Sequence, residues 1–147
     1  MVNSVEFAAY LQKKADKDGY EPNMTKVQKW LYICYGLYLA VRDEQLLDEK
    51  PRAWQYGPVF LDVYKEQKSR RGLRSKVDDV KLSEYDDVIK ATLDNFGTWT
   101  ASQLVHWTHE PKGAWDKQYY GRERHGFMDN HDILKEFNER LFATDEN

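Results

Sequence analysis

Only one cysteine, Cys34, occurs in 147 residues, which excludes an internal disulfide. A chain without disulfides suits a reducing compartment, so a cytoplasmic location is expected. No apolar run approaches the roughly 18 residues of a membrane span. The apolar part of the N-terminus is interrupted by Glu6 and has no basic leader, so neither a secretion signal nor a membrane partner is expected. Charge of neither sign prevails. Lys and Arg number 22 against 25 Asp and Glu, and the resulting net charge of −3 gives no general attraction to nucleic acid. Repeats and low-complexity tracts are absent, and the sparse glycines and prolines punctuate periodic segments.

What the chain has in quantity is aromatic side chains, 14% of the residues, including five Trp and ten Tyr. Large rings with a polar tip serve both cores and binding surfaces, so each one has two readings.

Apolar spacing of three and four predicts a succession of helices. The first covers 5–18, capped by Ser4 and closed by Gly19, with Phe7, Ala8, Leu11 and Ala15 on one face. The second is the most apolar. Val27, Trp30, Leu31, Cys34, Leu37, Tyr38 and Val41 form its stripe, and Ile33, Tyr35 and Leu39 extend it around the circumference, which marks a central helix. Asn23 or Thr25 starts it, and Thr25 with Gln28 reads as a capping box. Residues 43–56 break the period, as a loop or small hairpin. In WQYGPVF, residues 54–60, Pro58 suits the first position of a third helix, which makes Gly57 its N-cap and lets Tyr56 staple onto Leu61. Gly72 ends that helix, with Leu73 packing back. A fourth helix is expected over 83–96. A fifth opens on Thr100 with Gln103 completing a capping box, and ends near His109. Residues 111–127 read as irregular, and a last helix covers 132–142, burying Ile133, Leu134, Phe137 and Leu141 before a short polar tail. The expected fold is all-α (mainly α): a compact single-domain bundle over 1–147, of five to six helices with at most one small β-hairpin near residues 43–56.

Candidate chemistry is thin. His106 and His109 share a helix face three residues apart, but the order differs from the zinc-protease motif, and further ligands from His125 or His131 have no recognisable spacing. Cys34 sits on the apolar stripe, where a thiol acts as a small hydrophobe. The pairs Asp78–Asp79 and Asp86–Asp87 do not face each other on a helix. Gly121 and Gly126 lack a phosphate-binding frame. No catalytic residue, metal ligand or cofactor is therefore expected, and a non-enzymatic protein is. The basic run KSRRGLRSK, residues 68–76, carries Lys68, Arg70, Arg71, Arg74 and Lys76. Those cations either complement a helix C-terminus or touch phosphates.

Three segments resemble one family. TKVQKWLYICYGLYLA contains Lys26, Gln28, Lys29 and Tyr32. AWQYGPVFLDVYKEQK contains Ala53, Trp54, Tyr56, Gly57 and Pro58. SQLVHWTHEPKGAW contains Leu104, Thr108, His109 and Trp115. In this order they resemble the phage-associated, SocA-like Panacea-domain antitoxins over about residues 5–116. Trp30 and the EPKGAW spacing depart from the usual pattern, and the sequence after Trp115 matches little. The resemblance implies an antitoxin that neutralises a cognate protein toxin, encoded next to it, by direct binding. A SocA-like member would instead deliver the toxin to an ATP-dependent protease. From the residues themselves, a nucleic-acid-binding regulator using the 68–76 run is the reading from another class. Candidate partner-binding residues are Trp54, Tyr56, Trp107, His109, Trp115 and Tyr119. Scaffold roles are expected for Lys26, Gln28, Lys29, Tyr32, Gly57, Pro58 and Thr108.

Overall fold

A computed structural model describes residues 1–74 and 76–142; Ser75 of the basic run and the polar tail 143–147 lie outside the described residues. The fold is mainly helical, with one two-stranded hairpin. Helix α1 (Ser4–Lys17) is followed by α2 (Met24–Arg42), the antiparallel strands β1 (Arg52–Trp54) and β2 (Gly57–Val59), and α3 (Leu61–Lys68). A stepped helical segment comes next: α4 (Asp79–Leu82), a tight turn at Ser83–Tyr85, and α5 (Asp86–Phe96). Helices α6 (Ala101–Thr108), α7 (Ala114–Tyr119) and α8 (Asn130–Phe137) complete it, the last running into a wide turn at Asn138–Phe142.

The apolar circumference of α2 has the expected consequence. Val27, Trp30, Leu31, Ile33, Cys34 and Tyr35 are fully enclosed, and α1, α3, α5, α6, α8 and β2 all pack against this helix. Each such side chain contributes about 1.5–3 kcal/mol on burial, so α2 carries much of the hydrophobic stabilisation. Gly36 fixes one of these approaches. A β-carbon there would lie 2.2–2.4 Å from the Phe137 ring, so only glycine lets α8 seat this closely on α2.

Local signals located the helices, with corrections at their ends. Asn3, not Ser4, caps α1, accepting from the Glu6 N–H; the Ser4 hydroxyl turns to the Glu49 carboxylate instead. Asn23 caps α2 at 2.8 Å from the Lys26 N–H, and the Thr25–Gln28 box does not form because Gln28 is drawn across the core to Phe60. The Thr100–Gln103 box forms in both directions. Helix α3 begins four residues after the expected cap. Gly57, Pro58 and Val59 pair with Trp54, Ala53 and Arg52 as β2, and Tyr56 stands on the turn, 66% exposed, stapling nothing. The small hairpin expected near 43–56 thus spans 52–59. Gly72 has the expected left-handed backbone, φ +64°, but α3 has already ended at Lys68. Within the supposedly irregular 111–127, Ala114–Tyr119 is helical. Helix α8 starts at Asn130 under an Asp129 cap, and Leu141 is 38% exposed instead of buried.

Candidate functional site

The three resembling segments, dispersed in sequence, meet at one corner of the fold. From α2, the Lys29 side chain runs under the hairpin turn and its Nζ donates to the Pro58 carbonyl at 2.9 Å. One residue back, Gln28 accepts from the Phe60 N–H at 2.8 Å and donates to its carbonyl at 3.2 Å and to Gln67 at 3.1 Å. Both contacts fasten the strand-to-helix passage to α2. Gly57 sits between the hairpin and α6. Its φ of +111° is a conformation open to glycine, and a β-carbon there would meet Thr108 Oγ1 at 2.6 Å and Lys29 Cε at 3.0 Å. Thr108 itself is buried, its hydroxyl donating to the Val105 carbonyl at 2.7 Å.

From the other side, α7 brings Trp115, whose indole N–H donates to the Trp54 carbonyl at 2.7 Å. Trp115 is also the middle of a stack. The His109 ring lies 3.7 Å away at 9°, the Tyr119 ring 4.7 Å away at 14°, and the Arg124 guanidinium covers Tyr119 at 4.9 Å. The segment after α7 pairs with the free edge of β1. His125 donates to the Ala53 carbonyl at 2.8 Å, Ala53 to the Gly126 carbonyl at 3.0 Å, and Met128 to the Pro51 carbonyl at 2.8 Å. His125 holds a left-handed backbone, φ +66°, and its ring leans on Trp54.

Polar groups at this corner are under-satisfied. Lys29 is 2% exposed, and desolvation lowers its pKa to about 7. His109 is also lowered, first by burial and then by Lys29 and His106. Burial, with the Glu136 charge next, pushes the Tyr32 phenol well up; its ring meets Phe137 edge-on. Tyr32 Oη, Trp54 Nε1 and His109 Nε2 are buried without a hydrogen-bonding partner in the protein. Buried polar atoms without partners are rare in folded proteins and mark places where water or a ligand group belongs.

The expected site residues separate into two sets. Lys29, Gly57, Pro58, Thr108, His109 and Trp54 lie together at the corner, whereas the Tyr32 ring meets Phe137 of α8. Lys26 lies off it, its ammonium donating to the Glu21 carbonyl at 3.1 Å. Trp115 is only 4% exposed, so it positions its neighbours and cannot itself be a broad contact. Trp107 is half-buried, packed between Phe96 and Phe137 and covered by Arg140 at 3.9 Å. Exposed rings stand nearby instead: Tyr56, Tyr120 at 68% and Phe127 at 54%, the last beneath Arg52 at 4.1 Å. Of these, sequence reasoning missed Arg52, Tyr120, Arg124, His125 and Phe127 as surface candidates. The alternation of rings and cations in YYGRERHGF, residues 119–127, was the available signal.

Chemistry elsewhere is muted. Burial drives the Cys34 thiol up to about 12, beside Thr92 Oγ1 at 3.2 Å, so it is held protonated. Among the described residues no group of three or more His, Cys, Asp or Glu is placed to hold a metal. Lys68, Arg70, Arg71, Arg74 and Lys76 are exposed on and after the end of α3. Among the described residues no helix is long and apolar enough to cross a membrane.

The family model for the antitoxin SocA-like Panacea domain matches residues 27–116, which takes in the corner from Lys29 to Trp115 but not its 119–128 segment, and neither α1 nor α8. Antitoxin SocA of Caulobacter vibrioides (strain NA1000 / CB15N) is 28% identical over 105 residues, covering 61% of this chain and 56% of that protein. The chain therefore spans little more than half the length of this curated relative. No solved structure matches the chain significantly.

Proposed function

This chain belongs to the SocA-like antitoxins with a Panacea domain, and from that premise we propose that it neutralises a cognate protein toxin, encoded by an adjacent gene, through direct binding. The supporting observation is the face around the hairpin corner. Tyr56, Tyr120 and Phe127 are exposed there beside Arg52, Arg124 and the half-buried Tyr119. Aromatic rings and arginines are the side chains enriched at interface hot spots. Here they are already ordered by the stack on Trp115 and by the three-way pairing of β1, so binding costs little conformational freedom. Nothing in the corner is arranged as nucleophile, base and orienter, which supports a binding role over catalysis.

Growth of cells expressing the adjacent gene, with and without this chain, followed by a pull-down, tests the reading. The expected outcome is rescue together with a stable complex. Tyr56→Ala, which removes an exposed ring, is expected to weaken that complex by about tenfold or more while leaving the fold intact. Neither rescue nor complex would overturn the reading. A second route, implied by the family resemblance, is delivery of the toxin to an ATP-dependent protease. A toxin half-life that shortens with this chain only in protease-proficient cells would select it over occlusion.

A further inference from the structure

We infer that the pocket beneath the hairpin turn, lined by Lys29 and Trp54, receives a single Asp or Glu side chain of the bound partner. The inference rests on the antitoxin reading and names what the toxin would present. The pocket has a volume of about 360 Å³ and lies between the N-terminal half of α2, the turn, α3 and His125. None of the residues that line it is acidic.

Two of those residues have donors to spare. An ammonium carries three N–H bonds, and Lys29 uses one on the Pro58 carbonyl. Trp54 Nε1 is buried with no acceptor at all. Among the described residues no carboxylate of the protein lies within ion-pair distance of Lys29. Two acceptors of the wall are committed: Gln28 Oε1 to the Phe60 N–H, and Gln67 Oε1 to the Gln28 amide. Acceptor atoms also stand on Thr25, Gln55, Tyr56, Tyr64 and His125, but none is a carboxylate, so the pocket offers donors without an anionic partner.

A carboxylate is the complementary group, since it accepts only and carries the opposite charge. Desolvation of Lys29 is already borne by the fold, so a carboxylate arriving below about pH 7, where Lys29 is protonated, meets a cation that no longer has a hydration shell to lose. The two spare donor groups match the two oxygens of a carboxylate. The Trp54 and Tyr64 rings, 5.0 Å apart in an edge-on pair, give the methylene stem of Glu an apolar surface. Around the mouth, Tyr56 continues into the aromatic face already described, so the anchor would lie at the edge of that interface.

The experiment uses the full chain and three probes: an N-acetylated, amidated Gly-Glu-Gly peptide, its Gly-Gln-Gly counterpart, and inorganic phosphate. Backbone amide shifts of Gln55 and Tyr56 report occupancy. The Glu peptide is expected to give a saturable shift, with the Gln peptide weaker by about tenfold or more. Lys29→Met and Trp54→Phe are each expected to abolish the preference. Trp54→Phe keeps a ring beside Tyr64, so it decides the matter if Lys29→Met fails to fold. Equal response to Glu and Gln, no response, or a Glu response surviving Trp54→Phe would overturn the proposal. Saturable binding of phosphate with none of the Glu peptide would overturn it in favour of a phosphate site. The titration needs no toxin. Loss of peptide binding with growth rescue intact sinks only the anchor, and peptide binding without rescue sinks only the antitoxin reading.

Discussion

Lys29 enters the folded protein with one acceptor and no counter-ion among the described residues, and that arrangement fixes how stability responds to pH. Its folded pKa is about 7 against an ordinary value of 10.5. Between those values the unfolded chain holds a proton that the folded chain has released, so stability rises with pH. The slope approaches about 1.4 kcal/mol per pH unit at its limit. Below the folded value both states are protonated and this contribution is absent. His109, also depressed by burial and by Lys29, acts in the same sense at lower pH. Cys34 acts in the opposite sense above its ordinary value of 9.0, because the folded state keeps its proton up to about 12. Urea denaturation between about pH 7 and 8.5 is therefore expected to show stability rising by about 1 kcal/mol per unit, and Lys29→Met is expected to flatten that rise. An unchanged slope in the variant would show that Lys29 is charged in the fold.

Between elements, the seating of α8 on α2 depends on the absence of one methyl group. Gly36→Ala places a β-carbon within 2.4 Å of three atoms of the Phe137 ring, which must move. The expected loss is about 1–3 kcal/mol, measured by chemical denaturation. Phe137→Leu in the same chain should cost less than the sum of the two single changes, since each relieves the other's reason for strain. This level also shows what could be read from sequence and what could not. The Thr100–Gln103 box was legible because both partners lie within one turn of the same helix. The identical spacing at Thr25 and Gln28 misled, because Gln28 has a better-satisfied position against Phe60, 32 residues away. Pro58 fits the start of a helix and also the strand it occupies, and local sequence does not choose between them. The choice is made by Arg52–Trp54 pairing across the turn and by Lys29 reaching the Pro58 carbonyl. Helix α8 was found by its apolar spacing, but the reason for Gly36 appears only once Phe137 is seen against it. The corner was legible as motifs; that its members converge, and that Trp115 is interior to it, required the tertiary structure.

At the scale of the whole molecule, the hydrophobic core is one connected cluster running from Val2 to Phe137. The family match over 27–116 is narrower than that core. It omits Phe7 and Leu11 of α1, and Ile133 and Phe137 of α8, all fully enclosed. A fragment limited to 27–116 would leave the faces of α2 that meet α1 and α8 open to water. Such a fragment is expected to lack the near-ultraviolet circular dichroism and the cooperative melting of the full chain, and native-like spectra from it would refute this account of the core. The same enclosure gives the only thiol of the chain a further use. Cys34 lies at the contact of α2 with α5, fully shielded and held protonated. A thiol reagent reaches it only when those two helices part, so the rate of modification is a clock for the opening of the molecule's centre, one that runs in a mixture or a cell extract without any engineered label.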